Sequence, residues 1–363
     1  MKVLFITNIP SPYRVDFFNE LGKLCELTVI FEKASSSERD NSWQNYNTEH
    51  FKAVILKGIK HGVANAFCPE ILLYLKKGLY DQVIVTNFTS PTGMLAITWL
   101  RLNKIPYWLE SDGGFPKSGA GIKEKVKKHF IKGAMGYFST ADVHDQYYLQ
   151  YGAEPERIHR YPFTSLYRRD ILDAPVTPEE KAAARKKLGI TEERVLLSIG
   201  QFIRRKGFDI LIEAMAKLPS GVGCYIVGGE PTQDYLNQVQ RLGLTSVHFV
   251  GFQSKQVLAD YFMAADVFVL PTREDVWGLV VNEAMAKGLP VVTTDRCVAG
   301  LELITEPALG KIVPVEDAES LALALENVEK TTDTQTRQFV LNKISNYCFE
   351  EMAKQHMAVL TGF

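Results

Sequence analysis

Cysteine is scarce and unpatterned in this chain. Cys25, Cys68, Cys224, Cys297 and Cys348 are odd in number, far apart and never spaced as a metal-binding pair. That excludes a disulfide framework as the basis of the fold, gives no zinc site, and fits a reducing compartment. An excess of charge of either sign is missing too: 41 Lys and Arg face 42 Asp and Glu, a net of -1. A general nucleic-acid binder is thereby disfavoured, and any contact with a polyanion must come from a local basic patch. Long apolar runs are absent, since no stretch approaches the roughly 18 residues of a membrane span. The opening run Val3 to Ile6 is too short for a signal peptide and reads as a buried strand. The expected location is cytoplasmic, with any membrane contact peripheral on the inner face of the plasma membrane.

What is present is an ordinary globular composition, 46% hydrophobic and 23% charged, over 363 residues. That length exceeds the roughly 250–300 residues at which one core stops growing, so two domains are expected. Short β-branched runs at 2–7, 26–31, 51–56, 81–86, 105–110 and 135–139 read as strands, with helical patterns at 15–24, 69–79 and 94–103. Strands resume at 194–199, 223–227, 246–250, 266–270 and 290–293, separated by helical stretches at 208–217, 234–242, 255–264 and 279–287. The alternation predicts parallel sheets with crossover helices, two doubly wound α/β domains in series. Around 170–188 the strand rhythm lapses, and Thr177 is placed to cap a helix with Pro178 at its first position. The expected organisation is a Rossmann-like domain 1–170, a linker 171–190, a second Rossmann-like domain 191–345, and a final helix in 346–363 that packs back toward the first domain. Ligands of open α/β sheets bind at the carboxyl ends of the strands, so the active site is expected in the cleft between the domains.

The most informative stretch runs from Val269 to Pro290. A buried strand ends at Pro271, a polar loop carries Glu274 and Asp275, a helix begins near Gly278, and Glu283 lies between one and two turns inside it. The backbone N–H groups of Gly278, Leu279 and Val280 at that helix start suit a diphosphate. The acids on either side can accept hydrogen bonds from sugar hydroxyls. Here the chain resembles the retaining GT-B enzymes of glycosyltransferase family 4: Asp275-x7-Glu283 corresponds to their E-x7-E motif, with Gly278 and Glu-Ala-Met-Ala-Lys-Gly-Leu-Pro in register. The resemblance implies that Glu283 accepts the ribose hydroxyls of a nucleotide-sugar donor and that Asp275 contacts the donor sugar. Aspartate is one methylene shorter than the family's usual glutamate, and adjacent Glu274 shares or takes over the role as an alternative.

A second element, Gly200-Gln201-Phe202-Ile203-Arg204-Arg205-Lys206-Gly207, leaves a strand as a basic loop ahead of a helix. A cation aimed at the charge growing on a departing nucleoside diphosphate stabilises the transition state more than the ground state. Lys206 is the natural candidate. Gln201 stands where the family usually has arginine, and Arg205 or Arg204 supplies the missing charge. Two weaker elements are collinear with the same family: the turn Gly228-Gly229, where backbone approaches a ligand, and the Gly251-Phe252-Gln253 loop, which resembles the receiver of the nucleobase.

The first domain carries fewer signals. Arg14 follows the opening loop and either contacts a phosphate or lies on a solvated first turn. After the strand ending near Leu109, Asp112 falls where family members place a histidine, and Asp112 and Glu110 are candidate acceptor- or donor-sugar ligands. Lys117–Lys132 carries six lysines against one glutamate, with Ile122, Val126, Phe130 and Ile131 at helical spacing. Such a basic amphipathic helix suits an anionic membrane surface or a lipid-diphosphate acceptor. The implied protein is a retaining glycosyltransferase that moves a sugar from a UDP- or GDP-type donor to a glycan or polyprenyl-diphosphate-linked acceptor in cell-envelope or capsular polysaccharide synthesis. Lys206, Arg205, Asp275 and Asp112 are its catalytic candidates, and no cofactor, metal or nucleic-acid partner is expected. The competing readings are a non-catalytic sugar-binding or scaffolding subunit and a nucleotide-sugar epimerase on the same fold.

Overall fold

The computed structural model describes residues 1–34, 47–61, 65–117, 119, 121–330 and 333–362. The chain divides into two compact units, Met1–Tyr167 with Tyr347–Phe363, and Arg168–Asn346.

In the first unit the order is β1 (Lys2–Thr7), α1 (Pro12–Gly22), β2 (Glu26–Phe31), β3 (Lys52–Ile55), β4 (Ile59–His61), β5 (Asn65–Phe67), β6 (Gln82–Val85), α2 (Pro91–Leu102), β7 (Trp108–Glu110), α3 (Ile122–Ile131), β8 (Gly136–Ser139), α4 (Asp142–Gln150) and β9 (Ile158–Arg160). Seven parallel strands form one sheet in the order β3-β2-β1-β6-β7-β8-β9, and β4 and β5 form a separate antiparallel hairpin. Val3 to Ile6 are fully buried, as an apolar run sandwiched by helices requires. Helix α2 starts where Ser90 accepts a hydrogen bond from the Gly93 N–H at 2.9 Å and Pro91 supplies a preset φ. The helix expected over 69–79 is instead a single 3-10 turn, Pro69–Leu73. Ile71 and Leu75 reach the core from it, and Gly78 at φ +79° turns the chain away.

The second unit follows with α5 (Pro178–Leu188), β10 (Arg194–Ile199), α6 (Phe208–Met215), β11 (Val222–Val227), α7 (Gln233–Leu242), β12 (Val247–Val250), α8 (Lys255–Ala264), β13 (Val267–Leu270), α9 (Leu279–Met285), β14 (Val291–Thr294), α10 (Val298–Leu303), β15 (Gly310–Val313), α11 (Ala318–Lys330) and α12 (Thr334–Ile344). Its six parallel strands run β12-β11-β10-β13-β14-β15. Helix α5 has the expected start, with Thr177 and Glu180 forming a reciprocal capping box. The segment 171–190 does not hang free as a linker but belongs to this unit, because Arg185 donates to Asp266 at 2.7 Å and Lys181 pairs with the same carboxylate. The last helix, α13 (Phe349–Thr361), belongs to the first unit, where the Phe349 N–H donates to the Leu166 carbonyl at 2.8 Å.

Candidate functional site

In the second unit the candidate residues gather where β10, β11 and β13 end. The Lys206 ammonium donates to the Asp275 carboxylate at 2.6 Å, and Arg205 lies 3.2 Å from the same oxygen. The Lys206 and Asp275 side chains are 13% and 11% exposed. At that depth the pair is screened far less than a surface ion pair. The backbone of Asp275 is fixed as well: its N–H donates to the Arg296 carbonyl at 2.8 Å and its carbonyl accepts from the Val298 N–H at 3.2 Å. Glu274 is half-buried, and its carbonyl accepts from the Arg205 guanidinium at 2.9 Å.

Glycines set the shape of these loops. Gly278, at φ +102°, leads into α9, and a Cβ there would meet the Cys297 sulfur at 2.9 Å. The N–H groups of Leu279 and Val280 that follow lie in the first turn of α9 and have no carbonyl four residues back within the helix. Gly228, at φ +153°, passes so close to Gly200 that a Cβ would sit 2.0 Å from the Gly200 carbonyl oxygen. The backbones at the ends of β10 and β11 are therefore in contact, and the Phe252 ring, 76% exposed, lies beside Gly229. Glu283 is half-buried one turn into α9, and its charge is felt by Lys287 one turn further on.

The first unit holds a separate buried polar cluster. The Arg14 guanidinium forms ion pairs with both Glu110 and Asp112, and the Tyr13 hydroxyl donates to Asp112 at 2.5 Å. Glu110 is fully buried and also accepts from Tyr161 at 3.3 Å, while His356 of α13 lies 3.2 Å from its second oxygen. Burial opposes ionisation of Glu110, but the Arg14 charge and the His356 contact outweigh it and bring its carboxyl down to about 2. These contacts correct two expectations. Arg14 lies neither on a solvated turn nor free for a phosphate, because it is buried and paired with Glu110 and Asp112, and Glu110 has no oxygen open to a sugar, because Arg14, Tyr161 and His356 engage both oxygens inside the unit. Asp112 is the partly exposed carboxylate of the cluster, its side chain 32% exposed, with Arg14 on one oxygen and Tyr13 on the other.

Sequence reading missed two histidines that converge on this loop. His144 donates from Nε2 to the Ser111 hydroxyl at 2.8 Å, because its Nδ1 already accepts the Thr140 N–H at 3.2 Å. His356 comes from the far end of the chain and stacks on Phe138 at 4.4 Å between ring centres. A histidine on the buried side of a helix was the only local signal either one gave. In the second unit the missed residues are Thr272, Arg273 and Asp209, which tie the basic and acidic loops together.

The basic segment is ordered as α3 from Ile122, and Ser118 and Ala120 lie outside the described residues. Lys123, Lys125, Lys128 and Lys132 are exposed, Ile131 is buried and Phe130 half-buried. Ile122 and Val126 of the expected apolar stripe remain at the surface, Ile122 with 82% of its area open. Among the described residues no helix is long and apolar enough to cross a membrane.

Residues 180–340 match the family described as Glycosyl transferases group 1. An uncharacterized glycosyltransferase of Methanocaldococcus jannaschii is 30% identical over 193 residues, 52% of this chain and 48% of that protein. The lipopolysaccharide core biosynthesis glycosyltransferase LpsE of Rhizobium meliloti is 35% identical over 145 residues, 39% of this chain and 42% of that protein. The matches thus span about half the length of these curated relatives or less. The crystal structure of Anabaena HepE in complex with UDP superposes with a TM-score of 0.79 at 18% identity, covering 100% of both chains. The fold of two parallel-sheet α/β units is therefore GT-B, as expected.

Proposed function

We propose that this chain, whose residues 180–340 match the glycosyl transferases group 1 family, transfers a sugar from a nucleoside-diphosphate donor to an acceptor hydroxyl with retention of anomeric configuration. The observation that carries the reading is the Lys206–Asp275 pair, buried beside the Gly278 turn and within the matched segment. Lys206 sits where a departing diphosphate would need charge, with Arg205 next to it. The N–H groups of Gly278 to Val280 face the same task, and Glu283 serves the ribose. As the bond between the sugar C1 and the phosphate oxygen breaks, the acceptor oxygen bonds to C1 and its proton passes to the departing phosphate. The protein contributes position and fixed charge, which count most when they are in place before the charge develops. On this reading transfer is metal-independent and continues in EDTA.

Asp112 is the first-unit residue we assign to the reacting sugars, held by Arg14 and Tyr13. The acceptor class is a cell-envelope glycan, polyprenyl-diphosphate-linked, by analogy with the lipopolysaccharide role in the name of LpsE. The exposed lysines of α3, with Ile122 and Val126 among them, suit an anionic membrane face bearing such an acceptor. A non-catalytic sugar-binding subunit is the second reading. It is favoured by Asp112, which is ion-paired to Arg14 at the position where relatives place a histidine.

A panel of UDP- and GDP-sugars, with release of the nucleoside diphosphate as readout, separates the two; UDP comes first because HepE was crystallised with it. Turnover by the wild type that falls about 100-fold or more in Lys206→Ala supports transfer. Tight nucleotide binding with no turnover on any donor supports the second reading. Neither binding nor turnover rejects both.

A further inference from the structure

Arg273 follows the buried end of β13 and ties the loop that carries Lys206 to the start of α6. Its Nη1 donates to the Arg204 carbonyl at 2.7 Å and to Asp209 Oδ1 at 2.8 Å, and its Nη2 donates to Asp209 Oδ2 at 2.7 Å. Its Nε donates to Glu316 at 2.7 Å. Its backbone N–H donates to the Arg205 carbonyl at 2.8 Å, and the preceding Thr272 hydroxyl donates to that same carbonyl at 2.9 Å. Residues 272 and 273 therefore hold the two carbonyls immediately before Lys206, while the Asp209 end of the clamp fixes the start of α6 immediately after it.

Two further details belong to the same fastening. A Cβ on Gly207 would sit 2.0 Å from the Pro271 carbonyl oxygen, so the two loops meet backbone to backbone. Glu316 holds φ +61°, a conformation that side-chain-bearing residues rarely adopt, and it does so while gripping Arg273.

A lysine has a long flexible stem, and its ammonium is placed only as well as its backbone is. We infer that Arg273 is a positioning residue for the leaving-group cation: its planar fork, shared between Asp209 and the Arg204 carbonyl, sets the backbone from which Lys206 reaches Asp275 and the diphosphate. The inference rests on the transferase reading above. Lysine at 273 could make one of these contacts but not the fork.

The test uses the full chain and the donor that the panel identifies, with UDP and GDP as binding probes. Arg273→Lys, Arg273→Met, Asp209→Asn and the Arg273→Met/Asp209→Asn double variant are compared for kcat, KM, calorimetric nucleotide affinity and thermal unfolding. The expected result is a fall in kcat of about 10-fold or more in each single variant, with nucleotide affinity within about 3-fold. The double variant is expected to be no slower than the slower single one, because both changes undo one clamp. Asp209→Asn keeps the shape of the side chain and gives the answer if Arg273→Met does not fold. A kcat within about 2-fold of wild type in a folded Arg273→Lys and Asp209→Asn overturns the inference, as does a loss that is fully additive. If those variants are normal while Lys206→Ala is inactive, this inference alone falls. A wild type that turns over no donor and binds neither nucleotide removes the reading beneath it as well.

Discussion

The buried His144 should make the first unit lose stability as the pH falls from 7 to 5. Burial lowers the His144 imidazole to about 3, with the Glu110 charge opposing, and the hydrogen bonds agree. Protonating Nδ1 would set its hydrogen against the Thr140 N–H, which donates to that nitrogen. The folded value lies below the ordinary one near 6.5, so between about pH 6.5 and 3 the unfolded chain binds the extra proton and stability falls as pH falls. At pH 5 an unfolded histidine is protonated about 30 to 1, which costs the folded state about 2 kcal/mol relative to pH 7. Glu110, brought down to about 2, stays ionised in the folded unit, while its unfolded carboxyl protonates near the ordinary value of 4.5, so it adds a slope of the same sign that is small above pH 5 and common to both proteins compared below. His144→Gln keeps a donor for Ser111 and an acceptor for Thr140 while removing the titration. The assay is urea unfolding of both proteins at pH 7 and pH 5. For an m-value near 2 kcal/mol/M, wild type should lose about 1 M more in midpoint than the variant over that step. Equal losses in the two proteins, or a His144 ring resonance that titrates near pH 6.5, would refute the reasoning.

Glu283→Gln should weaken UDP or GDP binding by about 1–3 kcal/mol in calorimetry, because an acceptor facing ribose hydroxyls becomes in part a donor; unchanged affinity removes Glu283 from the site. Gly278→Ala should abolish turnover and lower the melting temperature, since its Cβ would sit 2.9 Å from the Cys297 sulfur at φ +102°; a fully active variant would show that the turn tolerates a side chain. Changing Lys123, Lys125, Lys127 and Lys128 to Glu should abolish co-sedimentation with anionic liposomes, each lysine contributing about 1 kcal/mol, and raised salt should mimic the change. Equal sedimentation of wild type and variant would leave α3 an ordinary solvated face.

The α/β alternation was legible because a strand buried on both faces is an apolar run and a packed helix shows its period. The strands Lys2–Thr7, Glu26–Phe31 and Arg194–Ile199 coincide with their expected bounds. The β4–β5 hairpin, β9 and β15 escaped notice: β5, β9 and β15 are short and only partly buried, unlike the equally short β7 and β8, so they show no apolar run, and pairing partners define them. The stretch 69–79 has helical spacing, yet its packing against α2 and the turn at Gly78 stop it after Leu73.

What the sequence by itself determined is whatever depends on the backbone and on neighbours in the chain: two α/β rhythms, the capping box at Thr177, and a helix entered through Gly278 with acids spaced on either side. Tertiary structure alone decided which charges remain available. Arg14 and Glu110 stand 96 positions apart and cancel each other in the interior, and His356 reaches Glu110 across 246 positions. Arg273 meets Asp209 across 64. A periodicity records the side a residue faces, not the residue waiting there, and the cost of burying a charge is set by that partner.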